Sequence, residues 1–70
     1  MADSVYKIIE LVGTSEKSWD EAAAAAVAKA GKTVRDLRVA EVTKLDMTIE
    51  DGKIKNYRAR VTLSFKYEGE

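Results

Sequence analysis

The sequence predicts an α+β fold: one helix packed on a three-stranded antiparallel sheet, in the order β-α-β-β. Three observations predict it. Asp51-Gly52 stands between two long β-rich runs, a strong short hairpin signal. Ser18 and Glu21 frame a capping box ahead of an alanine-rich run. The last run alternates apolar and polar residues with the period of a strand. Seventy residues leave room for a single domain, 1–70.

Val5 to Val12 is rich in β-branched and aromatic residues and reads as the first strand, ending at a Gly13-Thr14-Ser15 turn. Both of its faces are apolar: Tyr6, Ile8 and Val12 on one, Val5, Ile9 and Leu11 on the other. An isolated two-layer domain needs only one apolar face, so the second suggests contact with another subunit. Ser18 then caps a helix, with Asp20 and Glu21 at its positive end. Ala22 to Ala30 has high helix propensity. Trp19, Ala23, Ala26 or Val27, Ala30 and Val34 recur at helical steps and are expected to share the buried face. Gly31 weakens the helix, which is expected to end near Thr33. Leu37–Ile49 and Ile54–Tyr67 form the hairpin arms around Glu50-Asp51-Gly52-Lys53. In the second arm, Tyr57, Ala59, Val61, Leu63, Phe65 and Tyr67 lie on one face. Asn56, Arg58, Arg60, Thr62, Ser64 and Lys66 lie on the other.

Composition excludes much chemistry. There is no His, Cys or Pro, so disulfides, thiolate metal sites and histidine-based catalysis are absent. Nothing gathers carboxylates around a pocket, and no enzyme activity is expected. Twelve basic residues balance twelve acidic ones, which argues against nucleic acid as a partner. No membrane span or signal peptide is readable, and a cytoplasmic location is expected. Ten alanines bury little area each. With no disulfide available, a chain this small is expected to find its missing burial in an oligomer.

Four groups could carry a site. Trp19 either stacks on a planar ligand or anchors the helix, and its spacing with Ala23 and Val27 favours the anchor. Gly13-Thr14-Ser15 could cradle a phosphate, but it lacks the repeated glycines of phosphate-binding loops. Arg58, Arg60 and Lys66 form a basic row that is either a solvated face blunting a sheet edge or a site for acidic ligands. Asp46, Glu50 and Asp51 cluster near the hairpin tip, with Glu41 further down the strand. They are either solvated carboxylates paired with Lys44 and Lys53, or oxygen ligands for Ca²⁺.

The β-α-β-β order, the length and the string Tyr6-Lys7…Glu10-Leu11-Val12-Gly13-Thr14-Ser15 resemble the dodecin family. So do Ser18-Trp19-Asp20-Glu21-Ala22-Ala23 and Val61-Thr62-Leu63-Ser64-Phe65-Lys66. The resemblance covers essentially the whole chain. It implies a hollow homododecamer of cubic symmetry, with helices outward and sheets turned to an inner cavity. It also implies a non-enzymatic protein that binds or stores a small ligand. Many dodecins hold flavins. Aligned through Thr33-Val34-Arg35 and Glu41-Val42, the flavin-stacking Trp of that family is Val39 here, and the next position, often Phe, is Ala40. Aligned through Asn56-Tyr57, the flavin-bonding Gln is Arg58. Loss of an aromatic platform removes roughly 1–3 kcal/mol per stacked ring, so flavin is not the expected cofactor. Arg38-Val39-Ala40, Ser18-Trp19 and Asp46-Met47 look more like a second branch, the calcium dodecins. The resemblance thus implies calcium as the ion, with Asp46 as the leading carboxylate. The alternatives are a riboflavin or FMN buffer, with Tyr57 as a substitute platform, a binder of phosphorylated or acidic metabolites through Arg58 and Arg60, or a purely structural oligomer.

Overall fold

The computed structural model describes residues 3–67. Met1, Ala2 and 68–70, the ends of the expected 1–70 domain, lie outside the described residues, as do the first two residues read for a targeting signal. The element order is β1 (Tyr6–Ser15), α1 (Trp19–Gly31), β2 (Leu37–Glu50) and β3 (Lys53–Lys66). The sheet is antiparallel with strand order β1-β3-β2. The α+β reading therefore holds, and the boundaries of the hairpin fall within a residue of those expected.

The turn forms as Asp51-Gly52 dictates. Asp51 (φ 54) and Gly52 (φ 74) both adopt positive φ, the geometry of a type I′ hairpin turn. At the helix start, the Ser18 side chain accepts from the Glu21 backbone N–H at 3.1 Å. The return half of the capping box is replaced: the Ser18 N–H goes to Ser15 Oγ at 3.4 Å, and Ser15 Oγ donates to Glu21 Oε1 at 3.3 Å.

β1 runs through the segment expected to be a turn. Gly13 pairs with Ala59, Thr14 with Arg58 and Ser15 with Tyr57. The glycine is there for close packing: a Cβ at Gly13 would stand 1.9 Å from the Ala22 carbonyl oxygen and 3.2 Å from the Ala26 Cβ. This contact also explains the helix face. Ala22, Ala26 and Ala30 are buried, Ala23 is half-buried and Val27 is exposed. The expected face is thus the buried one, with Ala26 rather than Val27 at its centre, Trp19 and Val34 half-buried, and Ala22 added to it. Only methyl-sized side chains fit where the helix lies against Gly13, and a valine there would hold the two apart. The helix ends at Gly31, not near Thr33. Thr33 and Val34 instead close the turn with N–H bonds to the Ala30 carbonyl at 3.1 and 2.8 Å.

The core is thin. It consists of Ala22, Ala26, Ala30, Ala59, Val61 and Leu63, with Ile9, Leu11, Ala23 and Leu37 packed against it. Thirteen helical residues span about 20 Å, whereas fourteen strand residues span about 46 Å. The hairpin thus projects well past the helix. The molecule measures 55 × 20 × 16 Å, with a radius of gyration of 14.6 Å, against about 11 Å for a compact chain of this length. Among the described residues no helix is long and apolar enough to cross a membrane.

Candidate functional site

Register places the candidate residues. Residues directly opposite in an antiparallel pair share a face. Ala59, Val61 and Leu63 of β3 are buried under the helix, so Arg58, Arg60, Thr62 and Ser64 point away from it. Their partners follow them to the helix-free face.

The rows of that face can be read across the three strands. Ile8, Ser64 and Val39 lie abreast, then Glu10, Thr62 and Glu41, then Val12, Arg60 and Lys44, then Thr14, Arg58 and Asp46. Simple alternation from Val39 would carry Thr43 and Leu45 here. A bulge between Val42 and Lys44 instead leaves Thr43 out of register and brings Lys44 and Asp46 to this face. Thr43 Oγ1 donates to the Arg60 carbonyl at 3.3 Å.

The result is a banded surface. A carboxylate row, Glu10 and Glu41 about Thr62, adjoins a basic row, Arg60 and Lys44. Next to these, Arg58 and Asp46 form a bidentate pair: Nε to Oδ1 at 2.7 Å and Nη2 to Oδ2 at 3.1 Å. The hydrogen bond from Arg58 holds the Asp46 carboxyl below the usual carboxylate range, against an opposing effect of desolvation. The charges of Arg58, Arg60 and Lys44 push the same way. Asp46 in turn raises Arg58.

Arg58 and Arg60 therefore do share a face, as their spacing predicts. They do not blunt an edge, because β3 is the central strand. The expected carboxylate partners differ too. Glu50 pairs with Lys55 at 3.5 Å and Asp46 with Arg58, in place of Lys44 and Lys53. Asp51 belongs to the turn. Among the described residues no three acidic side chains gather as a metal cage, so one chain does not bring Asp46, Glu50 and Asp51 together.

Val39 is exposed and lines a hollow of about 60 Å³ with Ile8, Glu41, Thr62 and Ser64. That is far below the roughly 300–1,000 Å³ of a site enclosing an organic ligand. A wider hollow of about 310 Å³, between Val34, Arg35, Phe65 and Lys66, takes in Lys66 of the expected basic row but neither Arg58 nor Arg60. Tyr57 is not a substitute platform on the helix-free face. It pairs with Met47 and Ser15 on the helix side, and Trp19 packs edge-on against its ring at 5.1 Å. The Trp19 indole donates to the Asp46 carbonyl at 3.0 Å, so Trp19 anchors the helix to the hairpin. The turn before the helix is not built to take a phosphate either, since Ser15 Oγ accepts the Lys17 and Ser18 N–H groups.

Sequence reading did not place Glu10 or Lys44 on this face. Glu10 carries a weak signal, as a charge in an apolar strand. Lys44 carries none, because its face depends on the bulge.

The dodecin family model matches residues 5–68. The calcium dodecin of Mycobacterium tuberculosis is 46% identical over 63 residues, covering 90% of this chain and 89% of that one. Its crystal structure, described as that of a calcium-chelating antigen with a calcium-binding site, superimposes with a TM-score of 0.83 at 47% identity, over 96% of each chain. The dodecin of Streptomyces coelicolor superimposes over the full length of both chains, with a TM-score of 0.92 and 36% identity. Composition, strand order and these likenesses converge: the chain belongs to the dodecin family.

Proposed function

We propose that this chain is the subunit of a cytoplasmic, non-enzymatic homododecamer, a hollow shell whose helix-free faces bind a small ligand or ion, with calcium as the ion and flavin not held. The single observation that carries this reading is the helix-free face. It is a broad polar surface with two carboxylates abreast, Glu10 and Glu41, and an aliphatic Val39 where a flavin ring would need a flat partner. The likeness to a calcium dodecin supports the choice of ion.

The donor set of one chain does not fit a calcium cage. Calcium takes six to eight oxygens. Asp46, Glu50 and Asp51 are not gathered, and both Asp46 oxygens already accept from Arg58. A calcium ion on this shell therefore takes the rest of its oxygens from water or from neighbouring copies. Arg58 at the flavin-bonding position is paired with Asp46, so a flavin or an acidic metabolite has to compete with that carboxylate for it.

Light scattering tests the shell, and a mass of one or two subunits overturns it. Melting with and without millimolar Ca²⁺ tests the ion. A ligand that binds only the folded state raises the melting temperature by mass action, so an unchanged transition rejects calcium. Riboflavin titration tests the face. The expected result is unquenched flavin fluorescence, and tight quenching overturns the reading of Val39.

A further inference from the structure

Lys44, Arg58 and Arg60 surround Asp46 on two neighbouring strands. Arg58 and Arg60 are two residues apart on β3, on one face. Lys44 stands opposite Arg60, and Asp46 stands opposite Arg58. The three cations thus frame one carboxylate. The other carboxylates of this face, Glu10 and Glu41, belong to the next row, on the far side of Arg60. β1 contributes only Val12 and Thr14 to the cradle's rows.

We propose that Asp46 is the built-in anion of this cradle, and that it makes the helix-free face select against phosphate-bearing ligands in favour of neutral or cationic ones. The inference rests on that face being the ligand face. Its chemistry is simple. A guanidinium forms its strongest contacts when both of its parallel N–H groups meet one carboxylate, and Asp46 already supplies that match at 2.7 and 3.1 Å. Tethered on the adjacent strand, it competes at an effective concentration no free anion reaches at micromolar level. An incoming phosphate meets the carboxylate's charge before it meets the guanidinium's. With Asp46 removed, Lys44, Arg58 and Arg60 become a three-cation site with no resident anion.

The test is calorimetric titration of inorganic pyrophosphate into the assembled protein at about 0.01 M salt, where screening is weak. The wild type is expected to bind weakly. Asp46→Asn should bind at least about tenfold tighter, as removal of a like charge from an anion's path predicts. Asp46→Thr, which keeps strand propensity, should do the same and covers the case in which the Asn variant folds poorly. Asp46→Asn with Arg58→Gln should return to the wild-type value. No gain on removing Asp46, or a gain that survives loss of Arg58, overturns the proposal. The cradle lies within one subunit, so this comparison is decided whatever mass light scattering reports. A monomeric mass would reject the shell and leave the charge selection standing or falling on its own result.

Discussion

β2 and β3 are both fourteen residues long, and both carry valine, leucine and isoleucine, yet they end in opposite environments. Ala59, Val61 and Leu63 of β3 are 0–1% exposed. Their cross-strand partners Leu45, Val42 and Ala40 on β2 are all exposed, Leu45 at 51%. β3 is the central strand, with the helix above it. β2 is an edge strand that the helix meets at its two ends alone, at Leu37 and through the Trp19 indole at the Asp46 carbonyl. Side-chain chemistry does not separate them; position in the sheet does. An edge strand with uncovered apolar residues on a 55 Å rod is the surface that the assembly proposed above would cover.

The comparison can be broken most directly at Leu63. Leu63→Ala should lower stability by about 2–5 kcal/mol, because it opens a cavity where packing cannot collapse. Urea denaturation at fixed protein concentration reads it, and a loss below about 1 kcal/mol would mean that β3 is not the core strand. Gly13→Ala comes next. Its methyl would collide with the Ala22 carbonyl, so the helix must lift from β1 at about 1–3 kcal/mol; an unchanged denaturation midpoint would refute that contact. Ser18→Ala should lose about 1 kcal/mol with the helix cap, seen as a lower melting temperature with native circular dichroism. Leu45→Asp should leave the fold of the subunit within about 0.5 kcal/mol of the wild type while reducing the scattering mass. Full mass retained in Leu45→Asp would show that the β2 edge is not an assembly surface.

The smallest effect expected is that of the Asp46–Arg58 pair, which is solvent-exposed and screened by salt. Because the folded Asp46 pKa is lowered, its contribution is fully present above the unfolded value, about 3.9. It fades as pH falls below that value towards the folded one. Arg58→Gln should therefore melt lower than the wild type at pH 7, with the gap closing on acidification below about pH 4. A gap that widens in acid would have the wrong sign.

Much of the fold is legible in the amino-acid sequence. The period of β3 assigns its two faces residue by residue, the Asp51-Gly52 turn sets the hairpin, and Ser18 marks the helix start. Each of these signals is local: a side-chain period, a φ preference, a cap within one turn of helix. The candidate site is legible only in half. Spacing on one strand places Arg58 and Arg60 together. Asp46 stands out in the sequence too, but beside Glu50 and Asp51, its neighbours along the chain, and not with the arginine across the sheet.

Local chemistry along the chain thus settles the elements, their order and which residues of β3 share a face. Only the assembled sheet settles that β3 is central, that Gly13 is a packing contact within a strand, and that a bulge turns Lys44 and Asp46 to the helix-free face. The reason is physical. Strand order, register and bulges are settled by hydrogen-bonded pairing between segments far apart in the chain, and no local preference of Thr43 or Asp46 encodes which residue will stand opposite.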